Sequence, residues 1–255
     1  MIYNIFFDID GTLLPFDVKV WPDSIYEGLK KLKEEGHNLY IATGRHFLNI
    51  PPYIKDSGLF DAYVCLNGGV CYIDGNPVHM EAFPEQTLEQ IDALHKKCDV
   101  PILWTTLENG ILFNASVENF EIKKRVENDF KIFTQNEIPH AVFQVSVYAD
   151  EKVDEIFAKG LPLLHIARWN DVFFDINNRH VSKASGIEKL REIFGFTRDS
   201  IICVGDAEND IEMVKYAKIG ISVEDGYPEL IQVADKIIPS AKEGGVIKIL
   251  DIINS

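Results

Sequence analysis

The stretch Phe6-Phe7-Asp8-Ile9-Asp10-Gly11-Thr12-Leu13-Leu14 decides how this chain is read, because it sets two carboxylates, a glycine and a threonine directly after a short apolar segment. Residues 2–9 read as a buried strand: Ile2, Ile5, Phe6, Phe7 and Ile9 are apolar, and Gly11 punctuates the end. A carboxylate at the end of such a strand is costly to bury without a cation or hydrogen-bond donors. In an extended chain Asp8 and Asp10, two apart, face the same side. Two acids that close repel unless a metal neutralises them, and oxygen-only ligation suits Mg2+. Gly11 and Thr12 then offer backbone N–H groups to an anion. The plain alternative for this stretch alone is a strand followed by an Asp-Gly turn.

Working outward, Ile202-Cys203-Val204-Gly205-Asp206-Ala207-Glu208-Asn209-Asp210 repeats the grammar of an apolar strand, a glycine and then acids. Asp206 and Asp210 are four apart, so a helix beginning near Ala207 lets them converge on one cation. A solvated helix N-terminus favoured by negative charge is the competing reading. In Leu39-Tyr40-Ile41-Ala42-Thr43-Gly44-Arg45 a hydroxyl, a flexible backbone and a cation follow a strand, which alone is an ordinary strand-to-helix turn. Lys183, in Val181-Ser182-Lys183-Ala184-Ser185-Gly186, falls just inside a predicted helix, where a lone lysine is normally a solvated surface residue.

The surrounding pattern alternates strand and helix: a helix from Pro22 through Lys33, a strand over 38–42, a helix over 47–55 and a strand over 62–66. A hairpin signal, Asp74-Gly75-Asn76, joins strands over 71–73 and 77–79. From about Phe83 the pattern turns mixed. A helix over 85–97 precedes apolar runs at 100–106 and 110–114, a helix fits 117–133, and 141–148 alternates like a half-exposed strand. A helix over 150–159 and a hairpin of 163–169 with 172–176 complete this part. Alternation then resumes with a helix over 182–194, a strand over 201–204, a helix over 210–216, a strand over 219–221 and a last helix over 246–253. The expected fold is α/β: a Rossmann-like parallel sheet core with helices on both faces, formed by residues 1–82 and 180–255, with an α+β unit, residues 83–179, inserted. Asp8, Thr43, Asn67 and Asp206 all fall at or just beyond the carboxyl ends of strands, where open α/β sheets bind ligands.

At 255 residues the chain has room for about one or two domains. A net charge of −15 argues against nucleic acid as a partner. Cys65, Cys71, Cys98 and Cys203 form no CxxC pair and have no histidine at zinc spacing, so reduced thiols in a cytoplasmic protein are expected. The apolar start is broken by Asp8 and lacks a basic flank, unlike a signal peptide. No uncharged run approaches the roughly 20 residues of a membrane helix, so no membrane partner is expected.

Taken in order, Asp-x-Asp-Gly-Thr, Thr-Gly-Arg, Lys and Gly-Asp-x-x-Asn-Asp resemble the haloacid dehalogenase-like hydrolase superfamily, specifically its Cof-type, sugar-phosphatase-like branch. Asn67-Gly68-Gly69 and Glu243-Gly244-Gly245-Val246 also look like that branch, whereas the segment from Ser222 to Pro228 departs from its usual Met-Gly-Asn-Ala-like turn. The resemblance implies a Mg2+-dependent phosphatase acting on a small phosphorylated metabolite, such as a sugar phosphate, through an aspartyl-phosphate. On that reading Asp8 is the nucleophile. Asp10 is the proton donor and base, and also a metal ligand through its backbone carbonyl. Asp206 ligates the metal directly with Asp210 close to or behind it. Thr43 and the Gly44 backbone hold a phosphoryl oxygen, and Lys183 neutralises developing charge. Gly11, Thr12 and Asn67 line the phosphate side, and Asn209 orients Lys183, phosphate or metal-bound water. Arg45 either meets substrate or pairs with a surface acid. The net negative charge opposes a phosphorylated ligand, so Mg2+, Lys183 and Arg45 must reverse the field locally. The inserted unit would act as the cap that sets specificity. A phosphomutase sharing the intermediate, a receiver-like module and a silent binding protein are the alternatives. His180 reads as a hinge residue, and Trp104, Arg168 and Trp169 as core residues that could instead line a cap pocket.

Overall fold

Short apolar strands with no polar face must be covered on both sides, and that requirement organises the N-terminal third. In a computed structural model, which describes residues 1–16, 18, 20–115, 131–135, 137–168 and 171–254, strand β1 (Asn4–Phe7) is wholly buried. It is followed by helix α1 (Asp23–Glu34), β2 (Asn38–Ala42), a short helix α2 (Pro52–Lys55), β3 (Ala62–Cys65), β4 (Val70–Ile73) and β5 (Asn76–Met80). The helix expected over 47–55 is instead a 3-10 turn, Phe47–Asn49, and α2. Pro51 and Pro52 explain the break, since proline lacks the N–H and disfavours helical backbone in the residue before it. The Asp74-Gly75 turn has both residues at positive φ, the geometry a two-residue hairpin needs.

The middle of the chain gives α3 (Glu85–Cys98), β6 (Ile102–Thr105), β7 (Asn109–Phe113), β8 (Lys131–Thr134), β9 (Gln144–Tyr148), α4 (Glu151–Gly160), β10 (Leu164–Arg168) and β11 (Phe173–Asn178). Of the helix expected over 117–133, residues 117–130 lie outside the described residues, and Lys131 to Phe133 belong to a strand. Strand β9 is buried throughout rather than half-exposed. Its polar side chains bond inward: the Ser146 hydroxyl and the Gln144 amide both donate to the buried Asp175 carboxylate. The last third supplies α5 (Lys183–Phe194), β12 (Ile201–Gly205), α6 (Ile211–Tyr216), β13 (Ile219–Val223), α7 (Pro228–Val233), β14 (Lys236–Ile238) and α8 (Lys248–Ile253). Helix α7 and strands β8 and β14 are too short to leave a period in the sequence.

Two sheets result. The first runs β14-β13-β12-β1-β2-β3-β4-β5, parallel from β14 to β3 with β4 antiparallel to β3. Phe6, Tyr40, Cys203 and Val64 on one of its faces pack on Ile187 and Leu190 of α5 and Met213 of α6. The parallel α/β core expected from the sequence is therefore present. The second sheet, β10-β11-β9-β6-β7-β8, is antiparallel except for β7 with β8. One of its faces, with Trp104, Phe174 and Val145, packs on Leu88 and Ile91 of α3 and Phe157 of α4. The chain divides into two compact units, one of Met1–Arg45, Pro51–His79 and Ser182–Ser255, the other of His46–Ile50 and Met80–Val181. Among the described residues no helix is long and apolar enough to cross a membrane.

Helix α5 approaches the turn after β3 through two glycines. A Cβ on Gly68 (φ +100°) would lie 2.1 Å from the Ser182 carbonyl, and one on Gly186 would lie 2.4 Å from Val64. Alanine at 186 favours helix by about 1 kcal/mol, but overpacking costs about 1–3 kcal/mol. Gly186→Ala is therefore expected to lower the denaturation midpoint; a midpoint at or above wild type would contradict the close approach.

Candidate active site

Asp8 stands one residue beyond β1 and Asp206 one beyond β12, and these strands pair directly, with Phe7 opposite Val204. The Asp8 N–H donates to the Val204 carbonyl at 3.0 Å, which carries the register past the strand end. The chain leaves β1 toward β2 on one side and β12 toward β13 on the other, so both carboxylates lie where the sheet's connections diverge. A crevice forms at such a switch point.

Lys183, the first residue of α5, is 1% exposed, and its Nζ donates to Asp8 Oδ1 and Asp210 Oδ1, each at 2.6 Å. Ser182 caps the helix by accepting from the Ser185 N–H, which fixes where α5 starts and hence where Lys183 points. The second Asp210 oxygen accepts from the Asp206 and Ala207 N–H groups at 3.0 Å, closing the turn that carries Asp206. Asp206 Oδ1 accepts from the Thr12 hydroxyl at 2.9 Å. Gly11 (φ +84°) is required here, because a Cβ would sit 2.1 Å from Asp206 Oδ2.

Asp8, Asp206 and Asp210, all buried, offer oxygens within 4.8 Å of one another, with one ammonium among them. Burial, opposed by Lys183 but reinforced by Asp210 and Asp10, pushes the Asp8 carboxyl up to about 7. Burial together with Asp8 and Asp210 pushes Asp206 up to about 9. Burial works against the Lys183 ammonium as well, yet Asp210 and Asp8 outweigh it and hold its pKa above the ordinary lysine value. The pocket is thus short of positive charge, and its donor set is hard oxygen alone, which fits a small divalent cation.

Other residues fall differently from the expectation. The strand ends at Phe7, so the extended spacing of Asp8 and Asp10 does not persist. The Asp10 carboxylate stands outside the buried cluster, 36% exposed, and accepts from Arg45 Nε at 2.8 Å and Nη2 at 2.7 Å. Arg45 therefore pairs with an acid of the site itself, not a surface one. Nothing local signals that pairing, since the two are 35 residues apart. The Gly11 N–H, expected to face an anion, donates to the Leu14 carbonyl at 2.7 Å. Thr43 is buried and accepts from the Arg45 N–H, folding the Thr43-Gly44-Arg45 turn. Asn209, expected beside Lys183 or phosphate, donates to Asn67 Oδ1 at 2.9 Å, tying the turns after β12 and β3 together. His180 is exposed and pairs with Glu81 at 3.5 Å. Arg168 pairs with Asp154, Trp104 is core against Phe113, and Trp169 lies outside the described residues. Burial pushes the Cys71 thiol up to about 12 and those of Cys65 and Cys203 above the usual range, so none is poised as a thiolate. Sequence reading missed a cleft of about 320 Å3 in which Gly11 and Asp206 are joined by Phe16, Asp225 and Lys242. Asp225 belongs to the atypical 222–228 segment, which lies against the site: the Tyr227 N–H donates to the Asp206 carbonyl at 2.6 Å.

With this arrangement in view, the family profile of haloacid dehalogenase-like hydrolases matches residues 5–250. The chain belongs to that family. YkrA of Bacillus subtilis, which carries a provisional phosphatase name, is 25% identical over 95% of this chain and 94% of its own. The 5-amino-6-(5-phospho-D-ribitylamino)uracil phosphatase YitU of the same organism is 23% identical over 97% of this chain and 96% of its own. Among solved structures, the subclass IIB sugar phosphatase BT4131 superposes with a TM-score of 0.89 at 25% identity, covering 99% of both chains. This haloacid dehalogenase-like chain is accordingly a phosphatase, with the fold the sequence implied.

The raised carboxyls make a pH signature for the metal-free protein. Unfolded, Asp8 and Asp206 ionise near pH 4; folded, they keep their protons to about 7 and about 9. Their contribution to stability is full below about pH 4 and is lost as pH rises through those values. In chelator these groups are expected to lower the melting temperature progressively from about pH 4 to about pH 9, and Asp206→Asn to flatten the decline. Parallel slopes for the two proteins would contradict the assignment.

Proposed function

We propose that this phosphatase uses Mg2+ to hydrolyse a small phosphorylated metabolite through a phosphoryl-enzyme formed on Asp8. The observation that carries the reading is the set of three buried carboxylates with a single ammonium among them, Asp8 and Asp206 being pushed up by burial and by the neighbouring carboxylates. Asp8, Asp206 and the Asp10 backbone carbonyl would hold the ion, and Asp210 would act behind them, its oxygens already committed to Lys183 and two backbone N–H groups. When bound, the ion supplies charge neutralisation, allowing a carboxylate to approach a phosphate.

The chain's own groups divide the remaining work. An Asp8 oxygen attacks phosphorus as the bond to the leaving oxygen breaks, and Asp10 gives that oxygen a proton. Asp10 then takes a proton from water as the water oxygen attacks phosphorus, the Asp8–phosphorus bond breaks and inorganic phosphate departs. Lys183 stabilises charge gathering on the phosphoryl oxygens, and Thr43 with the Gly44 backbone holds one of them. The unit of residues 80–181, lacking any of these groups, would serve as the cap that chooses the substrate. A sugar or sugar-alcohol phosphate fits best, since the names of BT4131 and YitU point to a sugar phosphate and a phosphoribityl compound. Four free cysteines suit a reducing cytoplasm.

Turnover of an aryl phosphate and of a sugar-phosphate panel is expected to need Mg2+ and to collapse in excess chelator; full turnover there would sink the metal assignment. Ca2+ should substitute poorly, because its looser coordination misplaces the nucleophile.

Asp8→Asn is expected to keep the fold and lose about a thousandfold or more in turnover, as an amide cannot be the nucleophile. Asp10→Asn should still take up phosphate from a substrate with a good leaving group and release it slowly. Wild-type rates in Asp8→Asn, or phosphate trapped on Asp10 in the wild type, would be incompatible with these roles.

A further inference from the structure

The backbone passes between the two units at four places: Arg45–His46, Ile50–Pro51, His79–Met80 and Val181–Ser182. The last two bracket the inserted segment and are expected of any insertion. The first two are not, because they take five residues out of the first unit immediately after Thr43-Gly44-Arg45. His46 is what fastens them. Its ring is 3% exposed, and Nδ1 accepts from the Leu48 N–H at 3.1 Å, so the ring proton is on Nε2, which donates to the Thr106 carbonyl at 3.0 Å. The anchor is itself a closed turn: the Thr106 N–H and hydroxyl both donate to the Asn109 carbonyl at 2.9 Å.

On the other side of the Arg45–His46 peptide, Arg45 is tied to the first unit. Its guanidinium grips Asp10 with two hydrogen bonds, its N–H donates to Thr43 Oγ1 at 3.1 Å and its carbonyl accepts from the Leu66 N–H at 3.1 Å. Consecutive Cα atoms are about 3.8 Å apart whatever else moves. A displacement of His46 therefore reaches the residue holding Asp10 with almost no slack.

We propose that His46 is a positioning residue for the Asp10 carboxylate: by pinning the chain to the Thr106 turn one residue past Arg45, it fixes the guanidinium that orients Asp10 for proton transfer. This rests on the assignment of Asp10 as acid and base. The chain pays for the tether by burying an imidazole whose two nitrogens are both spoken for. A merely structural histidine would affect folding and leave the dependence on leaving group untouched.

Two probes separate these readings. 4-Nitrophenyl phosphate expels an oxygen that needs little protonation, whereas phenyl phosphate, whose leaving group has a pKa of about 10 like tyrosine, depends on the acid. His46→Asn retains a short acceptor for the Leu48 N–H but does not reach Thr106; His46→Gln places an amide N–H near the position of Nε2. The ratio of kcat/KM for nitrophenyl over phenyl phosphate, which reads the step that expels the leaving group and not release of phosphate from the shared phosphoryl-enzyme, is expected to rise about tenfold or more in His46→Asn and to return toward wild type in His46→Gln. Asp10→Asn, run alongside, should raise the same ratio further. Thermal melts and the nitrophenyl rate report whether each variant is folded. A steep ratio in Asp10→Asn with a flat one in His46→Asn overturns this proposal alone. A flat ratio in Asp10→Asn removes the acid–base assignment and the role of His46 with it.

Discussion

One ammonium group, that of Lys183, is shared at 2.6 Å by two buried carboxylates, and the rest of the site is arranged around that sharing. Asp8 arrives on the strand β1, Asp210 on the turn before α6, and Lys183 at the capped start of α5, so three elements distant in sequence meet at one nitrogen. Removing one partner of a buried pair leaves an uncompensated charge at a cost of about 3–5 kcal/mol. The glycines at 68 and 186 belong to the same constraint, because without their close approach α5 could not bring its first residue to the strand ends. Asp210 then serves twice, steadying Lys183 with one oxygen and shaping the Asp206 turn with the other.

The result is a pocket with more negative charge than its own residues neutralise, inside a chain that already carries a net charge of −15. Such a site is unfavourable by itself, and the packed sheet around it supplies the stability that tolerates it. By itself that imbalance repels a phosphate, so an acidic protein needs positive charge gathered locally to attract one. The long-range field is screened within about a Debye length, roughly 8–10 Å at ordinary salt, so what a ligand meets is the local balance of cations at the strand ends.

Much of this was legible in the sequence, because apolar runs ending in Gly-Asp or Asp-x-Asp-Gly report both a strand and what stands at its end. Asp8, Asp206 and Asp210 came together as their places on the two strand ends implied, whereas Lys183, which spacing alone reads as a solvated surface residue, was pointed to only by the family resemblance. What failed depended on where a backbone stops being regular. Ending β1 at Phe7 rather than Ile9 sends Asp10 away from Asp8, and only tertiary structure brings Arg45 to it. The bond from Asn209 to Asn67 likewise joins residues 142 apart in sequence, which no local spacing signals. Short pieces such as β14 and α7 carry no period to read, and the buried polar face of β9 looks like an exposed one until its partner Asp175 is known.

Under the mechanism proposed above, the two acids of the opening motif would divide labour through their surroundings rather than their residue type. Asp8 is buried beside an ammonium and two further carboxylates, whereas Asp10, two residues on, is partly exposed and held edge-on by a guanidinium. A nucleophile benefits from dry surroundings in which the incoming phosphate replaces water, and a cation held by Asp8 and Asp206 would favour its ionised form. A group that gives and then retrieves a proton needs the opposite: access to the leaving oxygen and to water, with an orientation fixed from behind. Arg45 fixes it with two parallel hydrogen bonds, which set the plane of the carboxylate as a single lysine contact could not. On that assignment, different roles would follow from a strand that ends two residues early and a guanidinium that waits where it ends.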